Sequence, residues 1–201
     1  MTYFKNTVGH FLTISEHKMT VMKECFAVGL IRQGLLHDLS KYSWQEFRTG
    51  VLYYQGTRSP NNAEREETGL SLAWLHHKGR NKHHFEYWID FGPDISQGLK
   101  GGRMPLRYVI EMTMDRIAAC KIYQKENYTD ESPYRYYSGR KEYMVIHPQT
   151  RHELEVLLKM LADRGEDYTF SFIRALLKRE FVRETDERIA AVRGLIGGKG
   201  K

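Results

Sequence analysis

The sequence predicts an all-α protein, and three observations support that class. Apolar residues recur at three-to-four-residue spacing along most of the 201-residue chain, as they do in amphipathic helices. Stretches rich in glycine, proline and small polar residues separate these segments, as loops do. Neither a convincing strand pattern nor an internal repeat is evident. With 41% hydrophobic residues the chain can bury a sizeable core, so we expect a helical bundle.

The N-terminal half contains four predicted helices. The first carries its apolar stripe at Val8, Phe11, Leu12, Met19, Met22, Cys25, Phe26 and Leu30. A short second helix is expected over about 31–41. Ser43 and Glu46 have the spacing of a capping box, which predicts the start of a third helix. The polar stretch 56–69 is expected to be an exposed loop, and a fourth helix follows over 70–78.

The C-terminal half is predicted to contain three more helices, over about 105–126, 150–164 and 170–193. Pro105 suits a first helical turn, and Thr150 with Glu153 forms a second predicted capping box. The intervening segments are a glycine-rich loop at 92–105, an irregular tyrosine-rich segment at 127–149 and a frayed tail at 197–201. This pattern predicts a helical core at 1–128, a connecting segment at 129–149, and a C-terminal helical pair with a flexible tail at 150–201.

The tyrosine-rich segment has two interpretations. Its aromatic rings could form a lid that stacks on a nucleobase, or they could be ordinary packing material between helices. Packing is the more common use of such residues, and we favour it. His147 lies in the same segment and is expected to be structural or associated with a lid.

Cysteine usage and terminal composition indicate a cytoplasmic protein. Cys25 and Cys120 lie in apolar helical patterns without metal-type spacing, so we expect both to be reduced core residues. The N-terminus lacks the build of a signal peptide, and no apolar run approaches the length of a membrane span. No membrane association is therefore expected. A homo-oligomer is compatible with the sequence.

The net charge of +6 allows an anionic partner or simply a solvated surface. Basic and acidic residues are mostly interleaved, without the blocks that a long nucleic acid would attract. A local basic excess over 78–107 adjoins a histidine-rich segment. This position favours a small phosphate-bearing substrate, such as a nucleotide, over a long polymer.

Four of the nine histidines occur in the nonapeptide HHKGRNKHH, as His76, His77, His83 and His84. Histidine is the most common metal ligand in proteins, and its neutral ring coordinates metals near pH 7. An exposed polar patch is the alternative interpretation of this segment.

Further candidate ligands lie on other predicted helices. The stretch GLLHDLSKYS places His37 and Asp38 inside an apolar run, where a buried carboxylate is costly without a compensating partner. His17 lies at the margin of the first apolar stripe. Asp115 follows Glu111 by one turn, and this repulsive pair is explained if Asp115 contacts a cation. A salt bridge from Asp115 to an arginine is the alternative.

This ordered set resembles the HD-domain superfamily of metal-dependent phosphohydrolases. The order is His17, then His37-Asp38, then the histidines of 76–84, then Asp115, and HDLSK is similar to that family's His-Asp-x-x-Lys run. The finer pattern of HDLSKYSWQEF, AWLHHKGRNKHHFEYW and EMTMDRIAA is similar to an uncharacterised HD-like family of bacteria and phages. The similarity covers about residues 10–125. An HHE-then-GYP run is missing, so the resemblance does not imply cleavage of cyclic dinucleotides.

The resemblance implies an HD-domain-like helical bundle that binds one or two divalent ions. Manganese, iron, cobalt, nickel and zinc all suit histidine and carboxylate ligands. Asp38 would bridge two ions or anchor one. The doubled histidines leave the register of the ligands open. The implied ligands are His17, His37, Asp38, His76, His77, His83, His84 and Asp115.

The expected activity is hydrolysis of a nucleotide or another small phosphate ester by a metal-activated water. Asp38 and Lys41 are the predicted catalytic residues, and Lys41 would also bind phosphate. Alternatively, Lys41 would be a positive charge at the C-terminal end of a helix, where it complements the helix dipole. Arg80, Asn81 and Lys82 are predicted to bind substrate. The alternative for Arg80 and Lys82 is an ordinary surface position, and Asn81 could orient a histidine instead. Two other classes stay open: an HD-type di-iron oxygenase and a non-catalytic nucleotide-binding accessory protein.

Overall fold

The computed structural model describes residues 2–197, with the side chains of 3–185 and of Glu187, and it confirms the all-α class. The helices are α1 (Thr2–Ala27), α2 (Ile31–Leu36), α3 (Trp44–Leu52), α4 (Pro60–Thr68), α5 (Leu72–Lys78), α6 (Leu106–Gln124), α7 (Ser132–Ser138) and α8 (Pro148–Gly197). None of these helices combines the length and the apolar composition needed to cross a membrane. Of the predicted tail at 197–201, Gly197 still belongs to α8, and 198–201 lie outside the described residues.

Two short strands interrupt the helical pattern. β1 (Ile89–Phe91) pairs antiparallel with β2 (Leu99–Gly101), with Ile89 opposite Gly101. The prediction that the chain has no strand, and that 92–105 is entirely loop, is therefore wrong. Three residues are too few for an alternating pattern to be recognised in a sequence.

The main hydrophobic core lies between α1, α6 and α8, so the C-terminal helix packs into the same core as the N-terminal half. Its buried members include Val21 and Val28 from α1 and its end, Ile110, Met114 and Ile117 from α6, and Leu157, Leu161 and Ile173 from α8. Cys25 and Cys120 are both buried and unpaired, as expected for reduced core residues. Burial of this shared core fixes α1 against α6, the two long helices that carry the ends of the candidate ligand set.

The sequence correctly predicts two helical segments in the C-terminal region, but it misplaces the start of the first one. Gly165 breaks α8 with φ 78° and ψ 175°, a left-handed backbone that glycine adopts without strain. The first helix begins at Pro148, and the Thr150 hydroxyl accepts a hydrogen bond from the Met104 amide instead of capping the helix. The Ser43 side chain also makes no capping hydrogen bond. Both predicted capping boxes are therefore wrong.

Two segments predicted to be irregular contain helices. The predicted loop at 56–69 forms α4, with Pro60 in its first turn and with Glu64 buried and accepting a hydrogen bond from the Leu72 amide at 3.2 Å. The tyrosine-rich segment forms α7. Its Tyr137 is fully buried and donates a hydrogen bond to Glu155 at 2.9 Å, which fits the packing interpretation.

Candidate metal centre

The chain leaves the helical conformation at His37 and Asp38. α2 ends at Leu36, after which His37 has ψ 127° and Asp38 has φ 53° and ψ 25°. The predicted continuous helix over 31–41 is wrong at this point. Asp is among the few residues that adopt a left-handed backbone readily. Consecutive side chains on a helix diverge by about 100°, whereas this break lets both turn inward, and each residue is 1% exposed.

Lys18 of α1 holds this break in place. Its ammonium donates hydrogen bonds to the carbonyl oxygens of Leu35 at 2.8 Å and His37 at 3.0 Å. These are carbonyls that the end of α2 leaves without helical partners. The junction that carries the His-Asp pair is thus tied directly to α1.

A first group of four side chains, from α1, the end of α2 and α6, converges beside this junction. His17 Nε2 lies 2.9 Å from Asp115 Oδ1 and 3.6 Å from Asp38 Oδ2. His37 Nε2 lies 3.3 Å from Asp38 Oδ2 and 3.5 Å from Asp115 Oδ1. The four ligand atoms all lie within 4.8 Å of one another, close enough to share one metal ion. We call this set the first ligand group.

A second ligand group lies on the other side of Asp38. Its Oδ1 is 3.3 Å from His77 Nε2 and 3.4 Å from His83 Nε2, and His84 Nε2 is 2.9 Å from His77 Nε2. These atoms also lie within 4.8 Å of one another. Because each Asp38 oxygen faces a different group, this carboxylate could bridge two ions.

Five buried atoms of this centre accept or donate no hydrogen bond. They are His17 Nε2, His37 Nε2, His83 Nε2 and both carboxylate oxygens of Asp38. Buried polar atoms are normally paired, so such a concentration needs an explanation. The Lys41 ammonium lies 2.6 Å from Asp38 Oδ2, but as an ion pair outside good hydrogen-bond geometry. Polar atoms that converge without hydrogen bonds between them fit the requirements of bound cations.

Glu111 orients two of these histidines from behind. Its Oε1 lies 3.0 Å from His37 Nδ1 and 3.2 Å from His83 Nδ1. A carboxylate accepts, so each Nδ1–H donates, and each Nε2 faces Asp38. The only sign of this role in the sequence is the position of Glu111 one turn before Asp115.

Glu46 orients the second ligand group in the same way, and its contacts show that His76 and His77 have different roles. Its two oxygens lie 2.6 Å from His76 Nδ1 and 2.8 Å from His77 Nδ1. His77 then reaches Asp38, whereas His76 belongs to neither ligand group. The Asn81 amide donates to the Ser40 hydroxyl and to the His77 carbonyl, both at 2.8 Å. Asn81 therefore fixes the histidine segment.

The electrostatics favour ionised carboxylates. Burial opposes ionisation of Asp38, but His37 and Lys41 hold the pKa of Asp38 well below its usual value. Burial likewise opposes ionisation of Asp115, and His17 and His37 outweigh it, so its pKa is also lowered. Burial would lower the pKa of His37, yet Asp38 and Asp115 raise it well above normal. The centre therefore carries concentrated negative charge that protons or metal ions can neutralise.

The other predicted substrate residues lie in different surroundings. Lys41 lines a cleft that opens beside the second ligand group. Arg80 is exposed and donates to the His76 carbonyl at 3.4 Å, and Lys82 is exposed with its ammonium 5.7 Å from the centre of the Tyr87 ring. Neither lines the cleft. His147 lies before α8, where its Nδ1 accepts a hydrogen bond from the Gln149 amide at 3.1 Å, which is a structural role.

The cleft itself is small, with about 70 Å³ open to the centres of water molecules, which is room for a few waters or for one flat ring. Besides Lys41 and His77, its walls include His10, Tyr54 and Tyr123. No motif in the sequence marks His10, because it lies in an ordinary stretch of the first helix.

Fold and site together define an all-α protein with a buried His/Asp cluster that could hold metal ions. Residues 6–160 match the model of a family described as a family of unknown function, DUF5662, and the chain belongs to that family. The match includes every member of both ligand groups. No curated protein and no solved structure matches the chain.

Proposed function

We propose that this protein is a metal-dependent phosphohydrolase that acts on a nucleotide or another small phosphate ester. One observation carries the proposal: two groups of four ligand atoms share Asp38, and five of their buried atoms have no hydrogen-bond partner. The resemblance to the HD-domain superfamily suggests the same reaction class.

The two ligand groups would hold two divalent ions. Such ions lower the pKa of a bound water to near neutral and polarise a phosphoryl oxygen. Glu111 and Glu46 hold the imidazoles in the orientation that this binding requires. Asp38 contributes one oxygen to each group, so its carboxylate sets the separation between them.

Lys41 supplies the contact to the substrate. Burial would lower the pKa of its ammonium, but Asp38 and Asp115 outweigh that effect and raise the pKa above normal, so Lys41 is a cation at neutral pH. The ammonium lies between Asp38 and the cleft. From there it would donate a charge-assisted hydrogen bond to a phosphoryl oxygen, which stabilises the charge that develops there.

The test combines metal analysis with an activity screen. We expect protein purified without chelator to contain up to two transition-metal ions per chain, and to release phosphate from nucleotides once manganese, iron, cobalt, nickel or zinc is supplied. His77→Ala should lose bound metal and His76→Ala should keep it, because only His77 belongs to a ligand group. Protein that binds no such ion would contradict the proposal. Two irons with an oxygen-sensitive spectrum and no phosphate release would favour the di-iron oxygenase instead.

A further inference from the structure

His10 is a buried polar side chain without a partner. It lies on α1, is 6% exposed and makes no hydrogen bond to any residue that the structure describes. Its ring packs against Phe47 and Tyr54, with centroids 5.3 Å and 6.1 Å away. Gly50 makes room for it, since a Cβ there would lie 2.0 Å from His10 Nε2. The fold thus holds an imidazole with free hydrogen-bonding capacity in the wall of the cleft.

Tyr54 gives the same cleft a rigid aromatic wall. Its ring lies so close to α1 that a Cβ on Gly9 would be 2.6 Å from it. Its hydroxyl lies 3.1 Å from the Thr13 hydroxyl, which fixes the ring in its plane. Tyr123 of α6 lines the cleft as well. Aromatic rings held in this way suit a flat, π-rich ligand.

Lys41 and His77 connect this wall to the metal centre. Both line the cleft, and both contact Asp38, at 2.6 Å and 3.3 Å. A phosphate ester bound at Lys41 would therefore place its organic part against His10 and Tyr54.

We propose that the cleft binds a nucleobase, with Tyr54 as the stacking surface and His10 as the hydrogen-bonding group for the edge of the base. This deepens the proposed function, on which it rests for the position of the phosphate. A base offers a π-face and a polar edge at once, and an aromatic wall beside one unpartnered imidazole is complementary to both. A sugar phosphate would use several hydroxyl contacts and gain little from the ring.

The first test measures binding without chemistry. Uridine, adenosine and ribose are titrated calorimetrically into the full chain. We expect at least one of the two nucleosides to bind and ribose to give no heat of binding. Tyr54→Leu and His10→Phe should weaken nucleoside binding about tenfold or more. The matched controls Tyr53→Leu and His152→Phe lie outside the cleft and should bind as the wild type does. Circular dichroism verifies the folding of each variant, and Tyr54→Leu alone suffices if His10→Phe unfolds.

The second test measures specificity on the metal-loaded protein. We expect the ratio of kcat/KM for a nucleoside monophosphate over glycerol phosphate to fall about tenfold in Tyr54→Leu and to stay unchanged in both controls. Phosphate ester hydrolysis with an unchanged ratio, or with ribose phosphate as the best substrate, would overturn the base site and leave the proposed function intact. Nucleoside binding without any hydrolysis would leave the base site intact and overturn the proposed function.

Discussion

Two clusters of charge join α1 to α6, one buried and one half-buried, and they are stabilised in different ways. In the first, the candidate metal centre, Asp38, Asp115 and Glu111 face four imidazoles. In the second, Lys121 Nζ lies 2.9 Å from Glu24 and 2.6 Å from Glu166, to which the Tyr128 hydroxyl also donates, at 3.1 Å.

The two clusters differ in how the excess negative charge of their carboxylates is neutralised. Lys121 serves two carboxylates, and burial raises the pKa of Glu24 to about 7 despite Lys121, so Glu24 takes up a proton as the pH falls below about 7. In the metal centre the pKa values of Asp38 and Asp115 are lowered instead, because histidines surround them and outweigh burial. The second cluster adjusts its charge by protonating a carboxylate, whereas the metal centre keeps its carboxylates ionised and leaves the imidazoles to take up protons or metal ions.

Asp38→Asn should have the largest effect of the variants considered, and it acts on the metal centre. Asparagine keeps the shape and the left-handed backbone but lacks the charge that both ligand groups share. We expect loss of both ions by elemental analysis. An ion at 100 times its Kd stabilises a fold by about 2.7 kcal/mol, so a chelator should destabilise the wild type by about 5 kcal/mol and leave the variant unaffected. Glu24→Gln is the control and should keep its metal. Full occupancy in Asp38→Asn would refute the shared ligand.

Asp115→Asn should remove one ion and leave the other, because Asp115 belongs to the first ligand group alone. We expect about half the wild-type metal content and about half the chelator effect. The variant distinguishes two independent groups from a single site. Normal metal content together with normal activity would show that Asp115 does not close the site.

Lys41→Ala should keep its metal and lose turnover. A protonated lysine cannot be a ligand, but loss of its contact to phosphate should cost about 2–4 kcal/mol in the transition state, or roughly 10²–10³ in rate. Lys41→Arg should recover only part of this, since a planar guanidinium does not reproduce a compact ammonium. Metal content, melting temperature and phosphate release are measured on all three proteins. Unchanged turnover in Lys41→Ala would remove Lys41 from the site.

The pH dependence of stability, compared between the wild type and Glu24→Gln, tests the second cluster. Because folding raises the pKa of Glu24 from 4.5 to about 7, its contribution to stability is full below pH 4.5 and is lost as the pH rises through 7. The free energy of unfolding of the wild type, minus that of Glu24→Gln, should therefore fall by about 2.5 kcal/mol from pH 5 to pH 8. Urea titrations at several pH values measure it. A constant difference would mean that Glu24 is ionised in the fold.

Lys82→Ala and Arg80→Ala should have the smallest effects. Both side chains are exposed and lie outside the cleft, so kcat/KM should change less than about twofold, as for ordinary surface substitutions. A tenfold loss in either would show that substrate extends over the histidine segment. That result would restore the role that the sequence predicts for these two residues.

The sequence predicts those helices and site residues that follow a recognisable pattern, and it does not predict those that lack one. The apolar spacing in α1 and the proline start of α6 predict the two helices, and seven of the eight predicted ligands converge. The predicted stripe of α1 is not its buried face, however, because five of its eight residues are exposed: Val8, Phe11, Leu12, Met19 and Phe26. α4 is missed because PNNAEREET buries little beyond Ala63 and Glu64, so no apolar period marks it. Only Pro60 signals its start.

The residues that orient the ligands are also hard to predict. Glu46 has the spacing of a capping residue, yet it turns inward to His76 and His77, because the buried His77 and the partly buried His76 need an acceptor more than a helix end does. His10 depends on Gly50 on another helix for its space. Such long-range contacts have no local sequence signal.

The left-handed backbone of Asp38 limits how position 38 can change over evolutionary time. Glycine and asparagine are the other residues that tolerate this conformation well, so most substitutions would cost folding before they affected chemistry. Asparagine, a single-base change from the aspartate codon, would abolish the charge and preserve the turn. A descendant that had lost the proposed metal ions and survived as a binding module should therefore carry Asn or Gly at position 38. The residue at this position should thus distinguish lineages that kept the proposed chemistry from lineages that lost it.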